Sequence, residues 1–344
     1  MVNCRPLILF SLEPNNFNYY FIKRRLSKHR WFMFNKRNIF NKLWLKYTDK
    51  TRYKLYKWEL QNYKLEEVTN FYTGNNTLNT LGKIISECKT LGYINVMHSG
   101  NAGDVIYALP TLKKLHEITG MPINLYLRLG QPLVLSGYAT HPLGTVMLNE
   151  KMFTLLKPLL IAQSYINICD QYVNQKIHVN LDIIRSKTIS LDSGNIARWY
   201  SYFTGITPEL WKAWLNVSPN ESYAETIVLA RSERYRNPSI DYSFLKQYRA
   251  LIFVGVKSEY EDMQQRIPNL KWVQVNDFLE LASIIAGCKL FIGNQSFPFS
   301  IAEGLKVPRI LEVYYKVSNV IPEGENAHDF YFQNHFEELV QSLH

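Results

Sequence analysis

Cysteine is scarce in this sequence. Four stand in 344 residues, Cys4, Cys88, Cys169 and Cys288, far apart and without metal-ligand spacing. That excludes a disulfide scaffold and the paired spacings of zinc sites, and the thiols read as reduced and mostly structural. None of the eight histidines belongs to an HxxxH or HExxH pattern, so a helix-borne catalytic metal has no ligands to recruit. No run of eighteen apolar residues occurs, which excludes an ordinary spanning helix. The opening stretch, MVNCRPLILFSLEPNN, has one Arg, a short apolar patch and Glu13, and makes a poor secretory signal. A cytoplasmic location, peripheral at most to a membrane, is the expectation.

Acidic residues are also scarce, but only in the first quarter. Residues 1–91 hold 17 Lys and Arg against 6 Asp and Glu, whereas the rest is almost balanced. The net charge of +10 therefore belongs to an appendage on a near-neutral body. In that appendage basic residues interleave with Phe21, Trp31, Phe32, Phe40 and Trp44. One reading is a helical element packed on the body, its basic stems covering apolar surface while their charges stay wet. Another is contact with an anionic membrane surface. Nucleic acid has no zinc-finger, helix-turn-helix or RNA-binding signature to support it.

From residue 92 the pattern becomes strand, short loop, helix. YINVM (93–97) reads as a buried strand and SGNAGD as a turn. VIYALPTLKKLHEITG follows as a helix ending at Gly120, with Pro110 expected to kink it or to mark a late first turn. INLYLRL (123–129) is the next strand, TVMLNEKMFTLLKPLLIAQSYI reads as mostly helical, and QKIHVNLDI as a possible strand. A Pro/Asn/Ser cluster at 218–222 marks a boundary. Beyond it ETIVLARS, ALIFVG, LKWVQV, KLFIGNQS and RILEVYY read as strands. The intervening helices include one capped by Asp277 and one in FPFSIAEGLKVP, and HDFYFQNHFEELVQSLH closes the chain as a helix. This predicts two α/β units in tandem, 92–221 and 222–344, behind an extension at 1–91. Ligands would sit in the cleft at the carboxyl ends of the strands.

Two turns occupy such positions. In SGNAGD, Gly100 and Gly103 permit a tight turn and close approach of a ligand to the backbone. This is neither a P-loop nor a GxGxxG dinucleotide fingerprint. Asp104 there is either a helix cap or a carboxylate that takes a proton from an incoming hydroxyl. His98 and Asn101 flank the turn on the same side, His98 being either an acceptor-side group or a structural histidine. Trp199, Tyr200, Tyr202 and Phe203 are either interdomain packing or a sugar platform.

GDVIYALPTLKKL and FLELASIIAGCKLFIGNQSFPFSIAEGLKVPRI resemble the two signatures of the lipopolysaccharide heptosyltransferase family. These are ADP-heptose-type glycosyltransferases with a two-Rossmann (GT-B) fold. The resemblance anchors residues 92–315 and implies an α/β fold of two Rossmann-like domains facing a cleft. It implies an inverting transfer from a nucleotide-diphosphate sugar to a glycan or glycolipid hydroxyl, with Asp104 as general base and no cofactor or metal. It further implies donor contacts from Arg231, Ser232, Arg234, Arg236, Asn294, Gln295, Ser296 and Glu303, with Glu312 a companion. Three positions depart from the family pattern: Gln295 replaces an acid, Phe297 a glycine and Ser300 a histidine. Two rival readings follow, a nucleotide-sugar epimerase on the same fold and a catalytically degenerate glycan- or nucleotide-binding protein.

Overall fold

A computed structural model describes residues 36–74, 81–133, 146–185 and 189–344. Cys4, Phe21, Trp31 and Phe32 lie outside the described residues. The chain divides into two compact units, 1–66 and 67–344.

In the first unit, the basic-aromatic sequence forms helix α1 (Ile39–Thr48), followed by α2, which begins at Lys50 and runs on to Gly74. Asn38 caps α1, its Oδ1 accepting from the Asn41 N–H at 2.8 Å. Among the described residues of this unit, Leu45 and Tyr56 are the buried side chains, while most of the basic residues are exposed.

The second unit contains two wholly parallel sheets. The first comprises β1 (Ile94–His98), β2 (Ile123–Leu127), β3 (Ile166–Gln171) and β4 (Val179–Asn180) in the order β3-β2-β1-β4. The second comprises β5 (Ile227–Ala230), β6 (Leu251–Val254), β7 (Lys271–Val273), β8 (Leu290–Asn294), β9 (Arg309–Glu312) and β10 (Ala327–Phe330). Its order, β10-β9-β8-β5-β6-β7, is that of the doubly wound dinucleotide-type sheet. Parallel strands need crossovers, and amphipathic segments supply them. These are α4 (Ala102–Thr119), α5 (Glu150–Ile161), α7 (Lys257–Arg266), α8 (Phe278–Ala286) and α9 (Phe297–Leu305). Helix α3 (Leu81–Cys88) precedes β1, α6 (Ile196–Thr204) precedes the crossing between sheets, and α10 (Gln333–Leu343) ends the chain. Ile84 and Cys88 of α3 join the same core as β1, so the α/β body begins before residue 92.

Central strands read as apolar runs because both their faces are covered: all five positions of β8 are buried. The first sheet adds a polar device, an amide ladder across three strands. Asn124 donates to Asn95 Oδ1 and the exposed Asn167 donates to Asn124 Oδ1, each at 3.0 Å, so the buried amide oxygens of Asn95 and Asn124 are satisfied.

Four sequence expectations are corrected. INICDQ is strand β3, although the stretch around Tyr165–Ile166 reads as helix. The start of the expected closing helix, HDF, belongs to strand β10. Both are edge strands, each with few buried positions and hence little apolar signal. Pro110 lies inside one continuous helix α4, with Ala102 and Gly103 already in its first turn. The expected strand in QKIHVNLDI shrinks to Val179–Asn180 and passes into a 3-10 turn, Leu181–Arg185.

One apolar core runs from the first sheet to one face of the second, and a separate core fills the far face. Helices α4 and α9 meet where the two sheets face each other. A Cβ on Gly103 would lie 3.8 Å from Phe297 Cα and 3.9 Å from Ser300 Oγ. Small residues on both helices bring the two N-termini together.

Candidate active site

In open parallel sheets, the ligand crevice lies beyond the strand carboxyl ends where the strand order reverses. The first sheet reverses between β1 and β4, and the second between β5 and β8. The loops at these points are Ser99–Asn101 with Leu181–Arg185, and Arg231–Ile240 with Gln295–Ser296. The contact between Gly103 and α9 places the start of α4 beside the start of α9.

At the first reversal, Asp104 sits in the opening turn of α4. Its Oδ2 accepts from the Asn101 N–H at 3.2 Å and from Arg185 Nη2 at 2.6 Å. Asp182 Oδ1 contacts the same guanidinium at 3.4 Å and accepts from the Ser99 N–H at 2.7 Å. The Asp104 side chain keeps 22% of its exposure and Arg185 keeps 19%, so the pair is neither open to bulk water nor sealed. Burial is the largest influence and opposes the Arg185 charge, but Asp104, Tyr200 and Asp182 together hold its pKa above the usual value. Gly100 is required by this pair. A Cβ there would lie 2.0 Å from Arg185 Nη2 and 2.6 Å from His98 Cε1.

His98 is fully buried and acts as a strut. Its Nδ1 accepts from the Gly100 N–H at 2.9 Å, which leaves the proton on Nε2 to donate to Tyr200 Oη at 2.7 Å. Tyr200 in turn donates to the Asp104 carbonyl at 3.1 Å. Burial, aided by the Arg185 charge, pushes the His98 pKa well below its ordinary value. Of the two readings of His98, this geometry fits the structural histidine: the ring shapes the turn from behind. Tyr200 is buried as well, while Tyr202 is exposed and Trp199 donates to the Ser193 carbonyl at 3.2 Å.

At the second reversal, Asn294 joins the ends of β5 and β8. Its Oδ1 accepts from the Ser232 N–H at 3.0 Å and its Nδ2 donates to the Ser232 carbonyl at 2.7 Å. Ser296 is the N-cap residue of α9, but its side chain makes no capping bond. Ser296 and Phe297 are partly exposed, so the helix start retains donors suited to an anion. Arg234 lies over the Tyr235 ring at 4.6 Å and, among the described residues, forms no ion pair. Arg236 instead pairs with Asp262 and donates to the carbonyls of Ser232 and Arg231, bracing the loop.

Three expected donor contacts point inward. Arg231, 4% exposed, donates to both oxygens of Glu312 at 2.7 and 2.8 Å and lies over the Tyr242 ring. Glu312 also accepts from Tyr242 Oη and the Asn237 N–H, so this acid and base are spent on each other and their loop. Glu303 is buried against Arg309 and Lys306, both at 2.5 Å. Burial lowers the Lys306 pKa to about 8, against the pull of Glu303. The Gln295 amide donates to the Val317 carbonyl at 2.5 Å and Asn319 Oδ1 at 2.8 Å, and accepts from the Tyr314 N–H. A carboxylate would oppose both acceptors, which explains an amide at this position. The loop it holds reaches the first domain: Asn319 donates to the Leu191 carbonyl and accepts from the Ile196 N–H through its own carbonyl.

Asp182 and Arg185 are the site residues that the sequence motifs did not point to. The available signal was an Asp and an Arg three apart, directly after a strand ending at a reversal point. Among the described residues, no group of three His, Cys, Asp or Glu could hold a metal ion.

Two facing Rossmann-like domains with crevices at both reversal points define the GT-B class of fold. No protein-family model matches the sequence, and no curated protein matches it. Among solved structures, the chain is similar to an E. coli heptosyltransferase, WaaC with ADP. The TM-score is 0.50 at 9% identity, over 73% of this chain and 100% of that one. It is also similar to a glycosyl transferase family 9 protein from Veillonella parvula, at TM-score 0.45 and 13% identity, over 73% and 88% of the two chains. A third is E. coli ADP-heptose lps heptosyltransferase II, at TM-score 0.43 and 12% identity, over 73% and 98%. The first of these likenesses carries the fold assignment.

Proposed function

We propose that the protein is a glycosyltransferase that moves a sugar from a nucleotide-diphosphate donor to a hydroxyl of a glycan or glycolipid. The observation that carries this reading is the meeting of a partly exposed carboxylate turn with an uncapped helix start. Gly103, next to Asp104, packs against Phe297 at the head of α9. Transfer from a nucleotide sugar needs a base on the acceptor and compensation for charge growing on the leaving diphosphate.

Asp104 is the base in this reading. Its two bonds from Arg185 and Asn101 fall on Oδ2, so Oδ1 is the oxygen assigned to the acceptor proton. Arg185 is a positioning residue that fixes the direction of the carboxylate. On the donor side, Ser296 Oγ, the Phe297 N–H and Arg234 face the diphosphate. Ser232, Arg236 and Asn294 shape the loop that presents them. Direct attack by the acceptor oxygen breaks the bond from the anomeric carbon to the diphosphate and inverts that carbon. The electron pair leaves on the diphosphate, and the acceptor proton goes to Asp104.

The first test is a binding screen of the full chain with ADP-, GDP-, UDP- and CMP-sugars, without added metal. Selective binding of one is expected, followed by transfer to an acceptor found with it. Asp104→Asn should keep donor binding and lower transfer by at least about 10²-fold. Retained transfer rejects the base assignment. A second reading, a nucleotide-sugar-binding protein without turnover, is favoured by the inward commitment of Arg231, Gln295 and Glu303. It predicts donor binding with no transfer across a wide acceptor panel. An anionic membrane surface at residues 1–91 completes the proposed set of partners.

A further inference from the structure

Helix α1 turns its apolar residues the wrong way for a core. Leu45, 4% exposed, is the one buried residue of the helix. On the other side, Ile39, Phe40, Leu43, Trp44 and Tyr47 are 47–81% exposed. Positions 40, 43, 44 and 47 follow i, i+3, i+4, i+7 spacing, so they share one stripe. Lys46 flanks it, while Lys42 lies across the helix from it. On α2, Lys50, Lys54, Lys57 and Trp58 are exposed too. Residues 36–63 carry eight Lys and Arg against Asp49 and Glu59.

From this geometry we propose that the Phe40/Leu43/Trp44/Tyr47 stripe of α1 inserts into the headgroup region of an anionic lipid bilayer. Lys46 of α1 and Lys50, Lys54 and Lys57 of α2 contact the acidic headgroups. A water-facing stripe of this size has no stabilising role in the free chain, and Trp and Tyr suit an interface that is apolar at one end and wet at the other. The basic border selects the sign of the surface. A protein partner would match the stripe but not the dense one-sided charge. Nucleic acid would match the charge but leave Phe40, Leu43 and Trp44 in water. The assignment sharpens the proposed membrane partner and stands whether or not the cleft transfers sugar.

The test uses the full chain and vesicles of phosphatidylcholine alone or with phosphatidylglycerol, without donor or acceptor. Binding is expected only to the anionic vesicles. Brominated lipid should quench tryptophan emission, and the Trp44→Leu variant should lose much of that quenching. Phe40→Ser/Leu43→Ser/Trp44→Ser should weaken binding at least about tenfold, since each residue loses buried apolar area. Lys46→Glu/Lys50→Glu should weaken it about tenfold or more, at about 1 kcal/mol per basic residue lost near the surface. All five side chains are at least partly exposed, and unchanged nucleotide-sugar binding and thermal unfolding check that the body is intact. Equal binding to neutral vesicles, or none to anionic ones, overturns the proposal. So does binding that the serine variant leaves unchanged, or a tighter, quench-free association with RNA. A Trp44 emission already blue-shifted without vesicles also overturns it, because the protein itself would then cover the stripe.

Discussion

Gly100 shows how a single missing methyl group builds this site. The Arg185 guanidinium passes over its Cα to reach Asp104, leaving no room for a side chain. Gly100→Ala should therefore separate the pair, costing about 1–3 kcal/mol in overpacking. Denaturant midpoints would read the stability, and transfer assays a fall in kcat larger than any change in KM. Arg185→Lys should retain part of that rate, because an ammonium keeps the charge but loses the planar fork. Arg231 behaves differently. Its partner Glu312 is fully buried, so Glu312→Ala leaves an unpaired internal cation and should cost about 3–5 kcal/mol in urea unfolding. At a site so far from solvent, that loss reads stability rather than donor affinity.

At the scale of elements, the loops after β8 and β9 act together. Gln295, just past β8, holds residues 314–319, and Asn319 touches Leu191 and Ile196 of the first domain. Gln295→Glu puts a carboxylate against two acceptors and should cost about 1–3 kcal/mol, the range for a polar group left unsatisfied. Its distinguishing signature is faster amide exchange at 314–319 with α9 unaffected, followed by hydrogen-exchange mass spectrometry. Uniform loosening of the whole domain would show that Gln295 has no such local role. The departures at Phe297 and Ser300 have element-scale reasons as well. Ser300 is fully buried and bonds the Phe297 carbonyl at 2.6 Å, next to Gly103. An imidazole there would need the space that α4 occupies. Phe297 packs on Phe278 of α8 with ring centroids 4.4 Å apart, anchoring the start of α9.

For the molecule as a whole, buried His98 links folding to pH. Unfolded, its imidazole titrates near 6.5, whereas in the fold burial holds the pKa well below that. Above about pH 6.5 neither state is protonated and nothing is lost. Below it the unfolded chain binds a proton that the fold refuses, so stability falls by up to about 1.4 kcal/mol per pH unit. His178 and His344 shift in the same direction, so the wild-type slope is shared. His98→Gln should lower stability near pH 7 yet flatten the decline between pH 6.5 and 5, as followed by denaturant titrations. An unchanged slope would remove His98 from the linkage.

Local chemistry was legible wherever an element is central. Strands covered on both faces read as apolar runs, and Asp277 announced its helix by capping it with a 2.9 Å bond to the Glu280 N–H. The SGNAGD and GNQS turns declared themselves because strand-to-helix turns need small or capping residues. Edge strands β3 and β10 stayed hidden, since one-sided pairing demands little apolar sequence. The roles of charged residues were settled by tertiary structure alone. Arg231 and Arg185 are both arginines just beyond strand ends, and nothing local separates them. Glu312, four strands further along the chain, takes one into the interior; Asp104, 81 positions back, holds the other at the crevice. Pairing over such distances depends on which strand ends the topology makes neighbours, and the order of strands in a sheet is decided by long-range packing.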